Sequence, residues 1–408
     1  MAVVENFAPQ IVFLPDIDEP FQDHHALIPR TPVPTTFNTN ALLSLPVVDE
    51  GADLVRKYTG ETVHVPNLVD LMPAWPNKTH SQDVLDEVTA EIDEWLKTVN
   101  IPQAKRPEND VAQRYTTLAS VFYTDCSKRK LVTLTKYQCW NAWFGEEMDH
   151  PTHDAAATRR LCDQTLQCVD ACLGSSKSSS SLGLPSSAAS RAPPSGTVAV
   201  LQEVLTAMRA EMATASAERL RRELRDSVET AAKRQAARRH DTLPDPWHHL
   251  DVRCDDVGAL PNITATEYAM GFGLPGPVRY HEAVETVVLE CTRLATLVHE
   301  VLSCQKDFRD GKLNNMCLLL ANAENISVKA AVAKVLGLVR KHYEACEAAE
   351  PRLPWAENDK HLNDQIREYV SGCKRLATGT THWAYLCGPY FDKAKLGDDW
   401  NLSFTLEQ

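Results

Sequence analysis

No uncharged apolar run of about eighteen residues, the length a membrane-spanning helix needs, occurs in the chain, so no membrane span is expected. Residues 1–20 lack a basic stretch ahead of an apolar one and carry Glu5, Pro9 and Pro15. No secretory signal is read there, and a cytoplasmic location is the expectation. Cysteine is sparse: twelve in 408 residues, none in a C-x-x-C pair, with Cys168 and Cys172 merely one helical turn apart. Free, mostly buried thiols are expected, rather than disulfides or zinc ligands. Positive charge is short, since 42 Lys and Arg face 55 Asp and Glu for a net charge of -13. Nucleic acid is thereby excluded as an expected partner, and an anionic substrate would need metal ions or a local basic pocket.

Alternating strand patterns are also missing, whereas helical periodicity is abundant. From Ser81, Val84, Leu85, Val88, Ile92, Trp95 and Leu96 recur at helical spacing with acids between them. Similar runs follow at 110–124, 128–148, 154–173, 197–240, 277–309, 312–322, 327–349, 358–377 and 379–390. The chain reads as all-α. Residues 1–78, rich in proline, read as an irregular segment packed on the body, and 79–408 as one helical domain. The Ser/Pro/Gly-rich insert at 174–196 is too polar to order itself and reads as a disordered loop.

Three segments carry chemistry. An apolar helix through Trp140, Trp143 and Phe144 ends in Gly145, Glu146, Glu147, Met148 and Asp149. Glu146 and Asp149 share a helix face, where two carboxylates can hold a hard cation or form a solvated helix end. In the second, His299, Ser303 and Asp307 are successive i, i+4 neighbours, with Lys306, Arg309 and Lys312 beside them. That stripe, about 12 Å long, offers ligands to one divalent ion or is a mixed core face. The third runs from Arg253 through Val257 and Gly258 to Pro261. Pro261 cannot donate to the carbonyl of Val257, so a helix break is predicted, either lining a functional cavity or ending a plain helix. The basic stretch Arg219 to Arg239 is interleaved with acids and reads as a solvated helix face.

The order and spacing of these segments resemble the class I terpene synthases, specifically the microbial and fungal single-domain cyclases, from about Tyr123 to Phe391. That family's diphosphate-sensing arginine precedes the first ligand of the second metal motif by 46 positions, the separation of Arg253 and His299. The resemblance places the N-x-x-x-S-x-x-x-E triad on His299, Ser303 and Asp307. It places D-D-x-x-D on Gly145 to Asp149, so Glu146 or Glu147 stands in for the lost first Asp. The family's C-terminal Arg-Tyr pair falls on Pro389 and Tyr390, with Lys306 or Arg375 as compensating cations.

The resemblance implies a single helical bundle around a central apolar cavity, and Mg²⁺, three ions in number, on Glu146, Glu147, Asp149, His299, Ser303 and Asp307. It implies a linear prenyl diphosphate held by Arg253, Lys306 and Arg309, with Val257, Gly258 and Tyr390 at the reacting end. Metal-triggered diphosphate loss, cyclisation of the allylic cation and proton loss would follow. The cavity walls implied are Phe122, Trp140, Trp143, Phe144, Leu289, Thr292 and Trp383. Farnesyl diphosphate is the expected substrate and a sesquiterpene hydrocarbon such as humulene the expected product. A degenerate, non-catalytic helical binding protein and a prenyl transferase are the alternatives, and a homodimer stays open.

Overall fold

The computed structural model describes residues 50–75, 78–100, 110–149, 155–174, 196–237, 243–256, 258–388 and 390–407; of 149, 236, 237 and 256 it describes only the backbone. The chain divides into two units, 1–48 and 49–408, and the described residues all lie in the second. The readings made for residues 1–49, for 175–195, and for Val257 and Pro389 lie outside the described residues.

Helices dominate, and the sequence explains where most of them start and stop. Helix α1 (Glu50–Tyr58) carries Glu50 and Asp53 in its first turn and Arg56 and Lys57 in its last, matching the helix dipole. Helices α2 (Gln82–Thr98), α3 (Val111–Phe122), α4 (Lys128–Asp149) and α5 (Ala155–Leu173) follow. The run read as one helix from 197 to 240 is two, α6 (Gly196–Arg209) and α7 (Thr214–Ala237). At the turn between them Met212 is buried and Glu211 is gripped by both terminal nitrogens of Arg129, at 2.6 and 2.8 Å. Burial of the Met212 side chain at a turn leaves the apolar spacing looking continuous.

Helices α8 (Pro246–Asp256) and α9 (Ala259–Met270) flank the predicted break. Gly258 sits there at φ +73°, a left-handed conformation that a β-carbon disfavours. Pro261 is the third residue of α9, where its missing N–H costs nothing because first-turn donors have no intrahelical partner. The short α10 (Gly276–Arg279) ends before α11 (Glu282–Arg309), whose N-cap His281 accepts from the Ala283 N–H through Nδ1. With 28 residues, α11 is roughly 42 Å long and buries most of its side chains.

Beyond it lie α12 (Met316–Glu324), α13 (Val328–Ala349) and α14 (Lys360–Cys387), the last spanning two runs read as separate helices. Gly379 does not break α14, and it marks a close approach instead: a β-carbon there would lie 2.8 Å from the Phe122 ring on α3. Among the described residues no single helix is long and apolar enough to cross a membrane.

Residues 50–78, read as irregular, include α1 and a strand, which corrects the expectation that no strand exists. Strand β1 (Thr62–Val65) pairs antiparallel with β2 (Leu402–Thr405), in the register Thr62 with Thr405 and Val65 with Leu402. Val63, Val65, Leu402 and Phe404 point into the core. Four residues per strand were too short for an alternation to stand out from the helical periodicity around them.

Candidate active site

A cavity of about 360 Å³ opens between α3, α4, α7, α8, α9, α11 and α14. Helical spacing selects what α4 presents to it: Gln138, Ala142, Gly145 and Met148 follow one another at three- and four-residue intervals along its wall, with Asn141 beside them. Glu146 is exposed and also lines the cavity. Glu147 does not line it. Its carboxylate is buried against α6 and accepts the Thr197 hydroxyl at 2.8 Å, so the reading of Glu147 as a metal ligand is corrected. Position 149 lies on the same helix face as 138, 142 and 145. Gly145 leaves room, because a β-carbon built on it meets nothing within 4 Å.

Across the cavity α11 contributes Ala295, His299, Glu300, Ser303, Lys306 and Asp307. The Ser303 hydroxyl donates to Asp307 Oδ2 at 2.6 Å, and Asn315 Nδ2 donates to the same oxygen at 3.1 Å. Asn315, the fully buried N-cap of α12, therefore ties the acid to the next helix. No motif marked it in the sequence. His299 packs edge-on against Tyr390 at 5.1 Å, and Tyr390 against Trp383 at 5.7 Å. Burial, reinforced by the Asp307 charge, pushes the Tyr390 phenol up and keeps it neutral.

Arg253, on the last turn of α8, lines the cavity with its Nε 3.1 Å from Glu300 Oε1. His249, one turn earlier, donates from Nε2 to Glu300 Oε2 at 3.1 Å, and the Met316 backbone N–H reaches the same oxygen at 2.8 Å. Burial alone would raise the Glu300 carboxyl. The hydrogen bond from His249 and the Arg253 charge outweigh it and hold the group well below the usual carboxylate range. At the break, Asn262 Nδ2 donates to the Gly258 carbonyl at 2.8 Å, while its Oδ1 accepts from Tyr123 Oη at 2.9 Å and Gln138 Nε2 at 2.7 Å.

Among the described residues, four cations line the cavity: Arg234, Arg253, Lys306 and Lys312. Arg234 went unnoticed because it belongs to the basic stretch read as a solvated helix face. Arg309 is 57% exposed, leans on Asp310 and does not line the cavity, which corrects its diphosphate role. Arg375 is buried elsewhere, with Nε on the Phe122 carbonyl at 3.3 Å. Of the expected walls, Phe122, Phe144 and Trp383 line the cavity. Leu289 is 46% exposed on the outer stripe of α11 with Glu282 and Glu285, so it is no wall residue. Trp143 stacks on Trp95 of α2 at 6.0 Å, Trp140 lies between Tyr137 and Phe144 at 5.6 Å from each, and the Thr292 hydroxyl caps the Val288 carbonyl at 2.8 Å. These three are packing residues outside the lining.

Residues 154–345 match the family model described as terpene synthase family 2, C-terminal metal binding. Terpene cyclase braA of Annulohypoxylon truncatum is 44% identical over 365 residues, which cover 88% of this chain and 94% of that protein. The chain belongs to the terpene synthase family. It is a class I terpene synthase, a lyase of the fungal cyclase type that acts on prenyl diphosphates and carries a divalent-metal site. Sesquiterpene synthase Agr3 of Cyclocybe aegerita is 30% identical over 158 residues, 38% of this chain and 43% of that one. The fold matches linalool/nerolidol synthase from Streptomyces clavuligerus with a TM-score of 0.63 at 18% identity, covering 77% of this chain and 98% of that one.

The donors of this terpene synthase fit such a metal. Among its described residues no three His, Cys, Asp or Glu side chains converge into a closed cage. Instead a hydroxyl and a carboxylate meet at 2.6 Å on α11, with an imidazole one turn away and an exposed carboxylate on α4. Open oxygen-rich sets of this kind suit divalent cations that share their remaining positions with substrate phosphate oxygens.

Proposed function

We propose that this synthase ionises farnesyl diphosphate and cyclises the resulting allylic cation to a sesquiterpene hydrocarbon such as humulene, using three Mg²⁺ ions. The observation that carries this reading is that Glu146 on α4 and Ser303 and Asp307 on α11 line one cavity, with Arg253 and Lys306 in the same wall. Bound there, the metal ions would supply the positive charge that stabilises the departing diphosphate.

The chain's own groups divide the remaining work. Ser303 and Asp307, held by Asn315, and Glu146 across the cavity are the metal-facing donors, joined by His299. Arg253, Lys306, Lys312 and Arg234 draw the diphosphate toward the mouth. Phe122, Phe144, Tyr390 and Trp383 exclude water from the chain and turn aromatic faces to positive charge. A volume of about 360 Å³ suits one isoprenoid chain, and the name of Agr3 supports a fifteen-carbon class.

Incubating the full chain with farnesyl diphosphate and Mg²⁺ should give a hydrocarbon detectable by gas chromatography. EDTA should abolish it, and Asp307→Ala should lower turnover by at least about a hundredfold with helix content unchanged. No product from ten-, fifteen- or twenty-carbon diphosphates would return the chain to the non-catalytic reading. Chain elongation in place of cyclisation would make it a prenyl transferase.

A further inference from the structure

Glu300 is a buried acid on α11 that lines the cavity and has no place in the metal motif. Its side chain is 1% exposed. Four groups from three helices face its two oxygens. Oε1 lies 3.1 Å from Arg253 Nε and 3.7 Å from His299 Nδ1, and Oε2 lies 3.1 Å from His249 Nε2 and 2.8 Å from the Met316 N–H. His249 and Arg253 stand one turn apart on α8, so both grip the same carboxylate from one helix face. A buried carboxylate is tolerated when its lone pairs are met in this way, and removing one partner leaves the others uncompensated.

We infer that Glu300 is the positioning residue for Arg253, fixing the plane of its guanidinium so that it meets the substrate diphosphate in one orientation, with His249 bracing the carboxylate from behind. An arginine side chain loses rotamer freedom when it is ordered, and holding Nε on a rigid acceptor takes that loss before the anion arrives. The Met316 contact extends the brace to the start of α12, whose N-cap Asn315 also holds Asp307. The guanidinium and the metal-facing acid are thus set by the same junction of α8, α11 and α12. This inference rests on the reading of Arg253 as a diphosphate contact.

Charge and position push in opposite directions here, which makes the test decisive. Were Glu300 only a compensating charge, its removal would strengthen the pull of Arg253 on an anion. If it positions Arg253, removal weakens binding. The experiment measures binding of inorganic diphosphate with Mg²⁺ to the full chain by calorimetry, for the wild type, Glu300→Gln, Arg253→Ala and the double variant. Glu300→Gln is expected to weaken binding about tenfold alone and less than about twofold in the Arg253→Ala background.

Tighter binding in Glu300→Gln, or an undiminished effect in the Arg253→Ala background, overturns the inference and leaves Arg253 in place. An Arg253→Ala variant that binds diphosphate as the wild type does overturns the active-site reading itself. Should Glu300→Gln not fold, His249→Gln retains the carboxylate and serves in the same cycle, with a smaller loss that must likewise vanish when Arg253 is absent.

Discussion

At the scale of single residues, the proposed metal site makes its sharpest prediction at His299. In the proposed metal site, the imidazole of His299 would put nitrogen among oxygen ligands, and nitrogen donors favour Mn²⁺ over the strictly oxygen-seeking Mg²⁺. With inorganic diphosphate present, Mn²⁺ should bind more tightly than Mg²⁺, and His299→Asn should narrow that gap several-fold. Calorimetric titration of each metal reads this without turnover. The wall residues separate as sharply: Trp383→Leu should alter the product mixture seen by gas chromatography, whereas Leu289→Trp, on the outer stripe of α11, should leave products and melting temperature unchanged.

At the scale of elements, two glycines set how the helices meet the cavity. Gly372 lets α14 lie directly on α9, since a β-carbon there would come within 2.5 Å of Thr266 Cγ2. Gly258 turns the chain between α8 and α9 at φ +73°, with the Asn141 amide oxygen 3.1 Å from where a β-carbon would stand. Gly258→Ala is therefore expected to cost about 1–2 kcal/mol, from the left-handed backbone and from displacing Asn141. Chemical denaturation measures it. Activity should fall with it, because the Asn262 bond to the Gly258 carbonyl belongs to the same network as Gln138 and Tyr123. A wild-type unfolding midpoint in that variant would remove the strain account.

Across the whole molecule, charge is arranged against its own average. The chain is strongly acidic, yet Arg234, Arg253, Lys306 and Lys312 gather at one cavity, which gives an anion a local attraction that the net charge denies it. A second charged cluster lies buried away from that cavity. Arg219 meets Glu267 at 2.6 Å, Arg279 lies over the Tyr369 ring at 5.5 Å, and Glu223 has an Oε2 that is buried without a hydrogen-bond partner. Burial raises the Glu223 carboxyl to about 7 against the opposing pull of Thr264, Arg279 and Arg219.

Because the folded value lies above the unfolded one, the stability gained from the protonated form is complete below pH 4.5 and is lost as pH rises through about 7. Wild-type stability should fall between pH 5 and 8 by on the order of 2 kcal/mol more than that of Glu223→Gln. Melting curves across that range check the sign. An identical fall in both would show that the carboxyl is ionised throughout.

The periodic apolar spacing by itself determined the helical class, because a face repeating every three or four residues can be buried only as a helix. Gly258 and Pro261 likewise fixed the break before α9, since backbone geometry and a missing donor are local properties. Local spacing also put His299, Ser303 and Asp307 on one stripe. It could not say which way a stripe faces. Glu146 and Glu147 are neighbours in sequence, and only the packing of α4 against α6 sends one to the cavity rim and the other to Thr197. Leu289 and Thr292 share an apolar run with the cavity-lining end of α11, but the neighbours of α11 change along its length and leave Leu289 in solvent. Arg234, Asn315 and Glu300 became visible as site residues only in three dimensions. Their roles come from partners on other helices, far away along the chain, and no spacing rule encodes a contact of that kind.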